Sequence, residues 1–143
     1  SSKRRLDALE GIRRLKDPSA LETLQALSKR FFLGWPERLT VYATMYSLGD
    51  TDAVAYLIEK TQSRNKAERS LAFGMIGTHQ VIEALELLDK TARDQTSKLR
   101  INAIHSLGEM RNDRARKILE EIAVDTSNDP QILAEVKDAI ARH

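Results

Sequence analysis

The chain has 143 residues, 41% hydrophobic and 31% charged, with 23 Lys and Arg against 21 Asp and Glu and no cysteine. That balance excludes wholesale disorder, a disulfide framework and cysteine zinc sites, while a formal charge of +2 is too small to diagnose a nucleic-acid partner. No stretch approaches the ~18 consecutive apolar residues that a membrane-spanning helix needs.

Taken in chain order, apolar periodicity and turn formers predict helices over about 3–15, 18–32, 36–48, 51–63, 65–76, 80–93, 96–107, 112–125 and 130–142. Asp17-Pro18, Trp35-Pro36 and Asp129-Pro130 each put proline at a first helical position, and the two aspartates are suited to cap the free N–H groups there. Leu48-Gly49, Ile76-Gly77 and Leu107-Gly108 read as apolar helix ends, each followed by a glycine in the left-handed stop position. In the first unit that place is Leu15-Lys16-Asp17, without a glycine. Four residues before each end stands a small residue, Gly11, Thr44, Ala72 or Ala103, expected to admit close helix packing.

Four alanine–leucine pairs, Ala20/Leu24, Ala53/Leu57, Ala84/Leu88 and Ala115/Leu119, recur at intervals of 33, 31 and 31 residues. A period near 30, with each leucine one helical turn after its alanine, is the mark of stacked helix pairs in which no unit buries its apolar face alone. The step from helix end to alanine is five residues in the first two units (Leu15 to Ala20, Leu48 to Ala53) and eight in the next two (Ile76 to Ala84, Leu107 to Ala115). The added Thr78-His79-Gln80 and Met110-Arg111-Asn112 are expected to enlarge loops on one edge.

The segment Leu99-Arg100-Ile101-Asn102-Ala103-Ile104-His105-Ser106-Leu107-Gly108, followed by Ala115 and Leu119, resembles the HEAT-like repeats first associated with phycobilisome lyases. The resemblance spans nearly the whole chain, good in units two to four and degenerate in the first. It implies an all-α fold, a right-handed α-solenoid of about four and a half helix pairs. The expected organisation is one domain over 1–143, with repeats near 3–34, 35–64, 65–95 and 96–127 and a half-repeat at 128–143. The chain begins Ser1-Ser2, has no signal-peptide apolar region and stops after one helix of a fifth unit. It therefore reads as a fragment of a longer, cytoplasmic protein. The face of Ile132, Val136 and Ile140 in that last helix either closes the stack or continues it, and Lys137, Asp138 and Arg142 line its solvent side if it closes.

Arg5, Arg38, Arg69 and Arg100 follow the same period. A column of arginines is suited to tracking phosphates or an acidic partner. In HEAT-like repeats, however, the position of Arg69 and Arg100 resembles a packing residue that bridges units to a loop carboxylate such as Asp94, and that structural reading is preferred. Arg5 and Arg38 stand ten residues before their turn rather than seven, so the four need not share a face. Six of seven aromatic residues cluster at Phe31, Phe32, Trp35, Tyr42, Tyr46 and Tyr56, with Phe73 outside. They read first as filling for an irregular inter-repeat joint, and second as partner-binding anchors near Arg30 and Arg38. Trp35 and Tyr56 are the members expected at the surface. The basic group Lys3, Arg4, Arg5, Arg13, Arg14 and Lys16 reads as a solvated helix face, and Arg111, Arg114, Arg116 and Lys117 as an exposed face with i,i+4 pairing.

Catalytic signals are weak. His79, His105 and His143 have no HExxH spacing, there is no His-Glu dipeptide, no G-x-S-x-G elbow and no phosphate-binding glycine loop. No cofactor or metal is expected, and His79 reads as a loop residue. The leading expectation is a non-enzymatic scaffold that binds another protein on a concave face lined by the second helices. Outward positions there include Glu22, Gln25, Lys29, Tyr56, Glu59, Lys60, Glu83, Glu86, Lys90, Arg93, Arg116, Lys117 and Glu120, a mixed-charge surface suited to a protein. The contact residues expected are Trp35, Tyr56, Arg30, Lys60, Glu86, Lys90, Arg116 and Lys117. The alternative is nucleic-acid binding, which the resemblance to HEAT-like alkylpurine DNA glycosylases suggests through a basic, aromatic-bearing face. A remote third option, from the repeat class alone, is a chromophore lyase or chaperone.

Overall fold

A run of nine α-helices and no strand makes up the described residues, 2–143, of the computed structural model. They are α1 (Ser2–Leu15), α2 (Leu21–Ser28), α3 (Trp35–Ser47), α4 (Ala53–Lys60), α5 (Lys66–Thr78), α6 (Leu85–Arg93), α7 (Arg100–Glu109), α8 (Asp113–Ala123) and α9 (Pro130–Ala141). None is long and apolar enough to cross a membrane. The fold is all-α, built of consecutive helix pairs. It divides into two compact units, one ending at Met75 and the other running from Ile76 to His143.

In the first unit α3 is the hub, packing on α1, α2 and α4. Leu9, Leu24, Leu33, Val41, Met45 and Ala53 form its buried cluster, with Leu6, Ile12, Leu27, Tyr42 and Tyr46 partly buried around it. In the second unit α7 takes that place, packing on α6, α8 and α9. Its core is aliphatic: Leu88, Ala103, Ile104, Leu107, Met110, Ala115, Leu119, Val136 and Ala139 are all fully buried.

The prolines start helices as expected. Asp17 accepts from Ser19 N at 3.0 Å ahead of Pro18, and Asp129 accepts from Ile132 N at 2.9 Å ahead of Pro130. Pro18, however, opens a 3-10 turn over Pro18–Ala20 and the α-helix proper begins only at Leu21. The second helices are accordingly shorter than predicted: α2 ends at Ser28 rather than near 32, and α4 covers only Ala53–Lys60.

Glycine takes two different roles that the sequence pattern merges. Gly49 has φ 101° and ends α3 as expected. Gly77 and Gly108 do not stop helices; they lie inside α5 and α7, which run on to Thr78 and Glu109. A Cβ on Gly77 would stand 2.8 Å from the Ser106 carbonyl oxygen, and one on Gly108 would stand 3.0 Å from Ala139 Cβ. These two glycines are set by close helix approach, and the left-handed residues of the first and third turns are instead Lys16 (φ 49°) and Gln80 (φ 57°). So the longer turns of the later units begin with extra helix rather than extra loop, and Met110 in the second of them is fully buried. Thr44, Ala72 and Ala103 are buried small residues as predicted, but a Cβ on Gly11 would meet open space.

Candidate interaction surface

The periodic arginines come first, because their placement decides what remains for a partner. Arg38, fourth residue of α3, donates to the carbonyls of Ser28 (2.5 Å), Arg30 (2.7 Å) and Leu33 (3.3 Å). Arg69, fourth residue of α5, donates to Ser63 O at 2.8 Å and Arg64 O at 3.3 Å. Arg100 opens α7 and donates to Ala92 O at 2.9 Å and Asn128 Oδ1 at 2.7 Å, while only 7% exposed. In each case the guanidinium of a first helix secures carbonyls left open where the preceding second helix ends. Arg38 joins this set because α3 ends at Ser47: measured to the observed helix ends, Arg38, Arg69 and Arg100 stand at the same distance from Ser47, Thr78 and Glu109.

Arg5 departs from the set. It pairs with Glu37 at 2.7 and 3.1 Å, and Ser2 Oγ also donates to that carboxylate. The Arg5 and Ser2 bonds hold the Glu37 carboxyl below its ordinary range although the residue is buried. Asp94 is not the acceptor expected for the arginines. Its carboxylate takes the Thr96 N–H and hydroxyl at 2.9 and 2.7 Å, which pulls its pKa down. Asp125 does the same with Ser127 at 3.0 and 2.6 Å. Ser63, Asp94 and Asp125, spaced by 31, each accept from the N–H two residues on, a local turn that shapes the inter-pair loops. Sequence reasoning missed this second period, and it missed Asn128, whose amide joins Arg100 to Ile122 O at 3.2 Å.

Of the anchors expected at the surface, Trp35 and Tyr56 are half-buried. Tyr56 stacks on Tyr42 with ring centroids 3.8 Å apart at 12°. Burial is the main cause that pushes its hydroxyl up to about 12. Lys60 lies 5.3 Å from the Tyr56 ring and 3.5 Å from Glu68, so both residues belong to a packed joint. The exposed rings are the neighbours Phe31, 94% exposed, and Phe32, 53% exposed. Trp35 is held back because it opens α3, whereas Phe31 and Phe32 sit in the preceding loop. Arg30, exposed as expected, lies 5.7 Å from the Phe32 ring.

Glu86 and Lys90 on α6 and Arg116 and Lys117 on α8 are exposed, as are Glu83, Arg93 and Glu120. Arg93 ties the two helices together, reaching Asp89 and Glu121 at 2.5 Å each, and Arg116 pairs with Glu120 at 2.9 Å one turn on. Among the described residues no group of three or more His, Asp or Glu is placed to hold a metal. His105 Nε2 contacts Glu135 at 2.7 Å, His143 Nε2 contacts Leu107 O at 2.9 Å, and His79 lies in the turn after α5.

No curated protein matches this chain. The family model for HEAT repeats matches residues 54–141. The match covers α4 to α9. HEAT repeats are in general protein-interaction scaffolds and typically non-enzymatic. With helix pairs on a 31-residue period, alanine and glycine at the close approaches and an arginine securing the α2–α3, α4–α5 and α6–α7 joints, the chain belongs to the HEAT-repeat family.

Proposed function

We propose that the chain is a non-enzymatic scaffold that binds another protein through the outward faces of its second helices. The observation that carries this reading is the α6–α8 face, where Glu86, Lys90, Arg116 and Lys117 stand exposed on two helices already cross-tied by Arg93 and Glu121. A rigid surface of interspersed charges suits a protein with a complementary pattern, where charge sets partner choice and encounter rate more than raw affinity. The use of Arg38, Arg69 and Arg100 on backbone carbonyls works against the nucleic-acid alternative, because a phosphate backbone would have to compete for guanidiniums already engaged.

The test is affinity capture from a lysate of the native organism, comparing wild type with a Glu86→Lys/Lys117→Glu double variant at low and moderate salt. A protein retained by wild type at both salts and lost by the variant is the expected result. Nucleic acid retained at low salt alone, with the variant bound equally, would overturn it.

A further inference from the structure

In the first unit, a groove of about 340 Å3 is lined by Arg5, Thr23, Ala26, Leu27, Arg30 and Phe32. Its floor is the apolar flank of α2, and its wall is the ring of Phe32. Phe31 extends that wall edge-on, its centroid 6.1 Å from Phe32 at 78°. Two phenylalanines side by side at this exposure form an apolar patch of the kind that marks an interaction site. The loop that carries them is fixed: Arg38 holds the Arg30 and Leu33 carbonyls, Leu33 N donates to Arg30 O at 3.2 Å, and Leu33 is buried beneath. The rings are thus presented by an anchored loop, which lowers the ordering entropy that binding would otherwise oppose.

The charges at the rim select the occupant. Arg5 is already neutralised by Glu37, while the guanidinium of Arg30 lies against the Phe32 ring. That leaves one cation beside an apolar floor, a match for one carboxylate next to one large apolar side chain. A nucleic-acid backbone asks for several cations in a row, and exposed Glu22 stands next to Thr23 of the groove.

We infer that this groove is a docking site for a short segment of another protein that seats a large apolar side chain between Leu27 and Phe32 and sets an adjacent carboxylate on Arg30. The inference rests on the protein-binding reading above, but it places contact on the first unit and fixes the chemistry of the partner.

The probe is a library of random 12-residue peptides displayed against the full chain, with selected peptides measured by fluorescence anisotropy. The expected consensus is a large apolar residue beside Asp or Glu, with affinity falling at least tenfold for Phe32→Ala and for Arg30→Glu. It should be unchanged for Lys117→Glu, and restored on Arg30→Glu when the peptide's acid becomes Lys. Circular dichroism checks that the variants keep the wild-type melt. Should either fail to fold, amide shifts of the wild-type chain at Ala26, Leu27, Arg30 and Phe32 on peptide addition supply the same answer. Peptides that bind indifferently to both substitutions, or shift residues elsewhere, overturn the groove and leave the scaffold reading standing. Failure to enrich any such consensus overturns it as well, and so does a single-stranded oligonucleotide that binds with steep salt dependence and is lost on Arg30→Glu.

Discussion

The two compact units solve one packing problem with different materials. All seven aromatic residues precede residue 76 and none follows it. From Ile76 onward the helices meet through Gly77, Gly108, Ala103 and Ala139, and the core is Leu, Ile, Val, Met and Ala. In the first unit the element lengths are much the same, with α2 and α6 each entered by a 3-10 turn and residues 29–34 joining α2 to α3 as 94–99 join α6 to α7. Large rings, however, occupy the joints. Regular spacing lets small residues bring backbones together at interior density. Joints built of rings do not cover all of them, and Phe31 and Phe32 reach the surface. The exposed ring pair thus lies in the part of the chain that precedes the HEAT-repeat match.

The sharpest way to break this comparison is at the arginine joints. Arg100→Ala should lower stability by about 3 kcal/mol, because Ala92 O and Asn128 Oδ1 lose their charged donor inside the core. Arg69→Ala should cost about 1 kcal/mol, since its carbonyl acceptors lie nearer to water, which replaces the donor. Urea denaturation of the two variants checks this, and equal losses would mean that the second unit is no more dependent on its arginine than the first.

Next in size are the glycines, where opposite signs are expected within one helix. Gly77→Ala should destabilise by about 1–3 kcal/mol, as its methyl would enter the Ser106 backbone. Gly74→Ala, three residues earlier in α5 and facing open space, should stabilise by about 0.5–1 kcal/mol by restricting the unfolded chain. Gly11→Ala should act like Gly74→Ala. Thermal melts of the three variants decide the matter, and a loss at Gly74 matching that at Gly77 would sink the close-approach account.

These sites also show what was legible in the sequence. The 31-residue period, the proline starts and the helix pairs were readable because they are local and repeat. Gly77 and Gly108 looked like stop signals because a glycine after an apolar residue has the same local pattern whether it turns the chain or admits a neighbour. The acceptor of Arg100 was not readable, since Asn128 is 28 residues away and its amide acts through a contact between helix pairs. Trp35 and Tyr56 were expected outside and Phe31 and Phe32 were not singled out, because composition locates a cluster of rings without saying which of them the backbone turns inward.

A smaller effect sharpens the aromatic side of the contrast. The Tyr56 pKa, raised to about 12, lies above the ordinary value of 10.0. The neutral form is favoured by the fold, so the associated stability is intact below pH 10 and is lost as pH climbs toward 12. Ultraviolet titration should show one tyrosine ionising late in wild type and none late in Tyr56→Phe. A late step that persists in Tyr56→Phe would place the shifted hydroxyl elsewhere.

The smallest expected effect tests how a helix carboxylate of the first unit and loop carboxylates of the second are held. Glu10 is pulled from 4.5 to about 2, first by its bond to Arg13 and further by Arg14. A depressed carboxylate contributes stability above its unfolded value, so this contribution is present above about pH 4.5 and lost as pH falls toward 2. Because Glu10 and Arg13 are only half-buried and Arg14 is exposed, about 0.5 M salt should screen much of the effect. Asp94 and Asp125 are lowered chiefly by hydroxyl and N–H donors, short-range bonds that salt screens little. Acid melts at low and high salt should therefore show a salt-sensitive component abolished by Glu10→Gln and a salt-insensitive one reduced by Asp94→Asn. If Asp94→Asn removed the salt-sensitive part instead, the distinction between a charge-paired helix carboxylate and hydrogen-bonded loop carboxylates would fail at its electrostatic root.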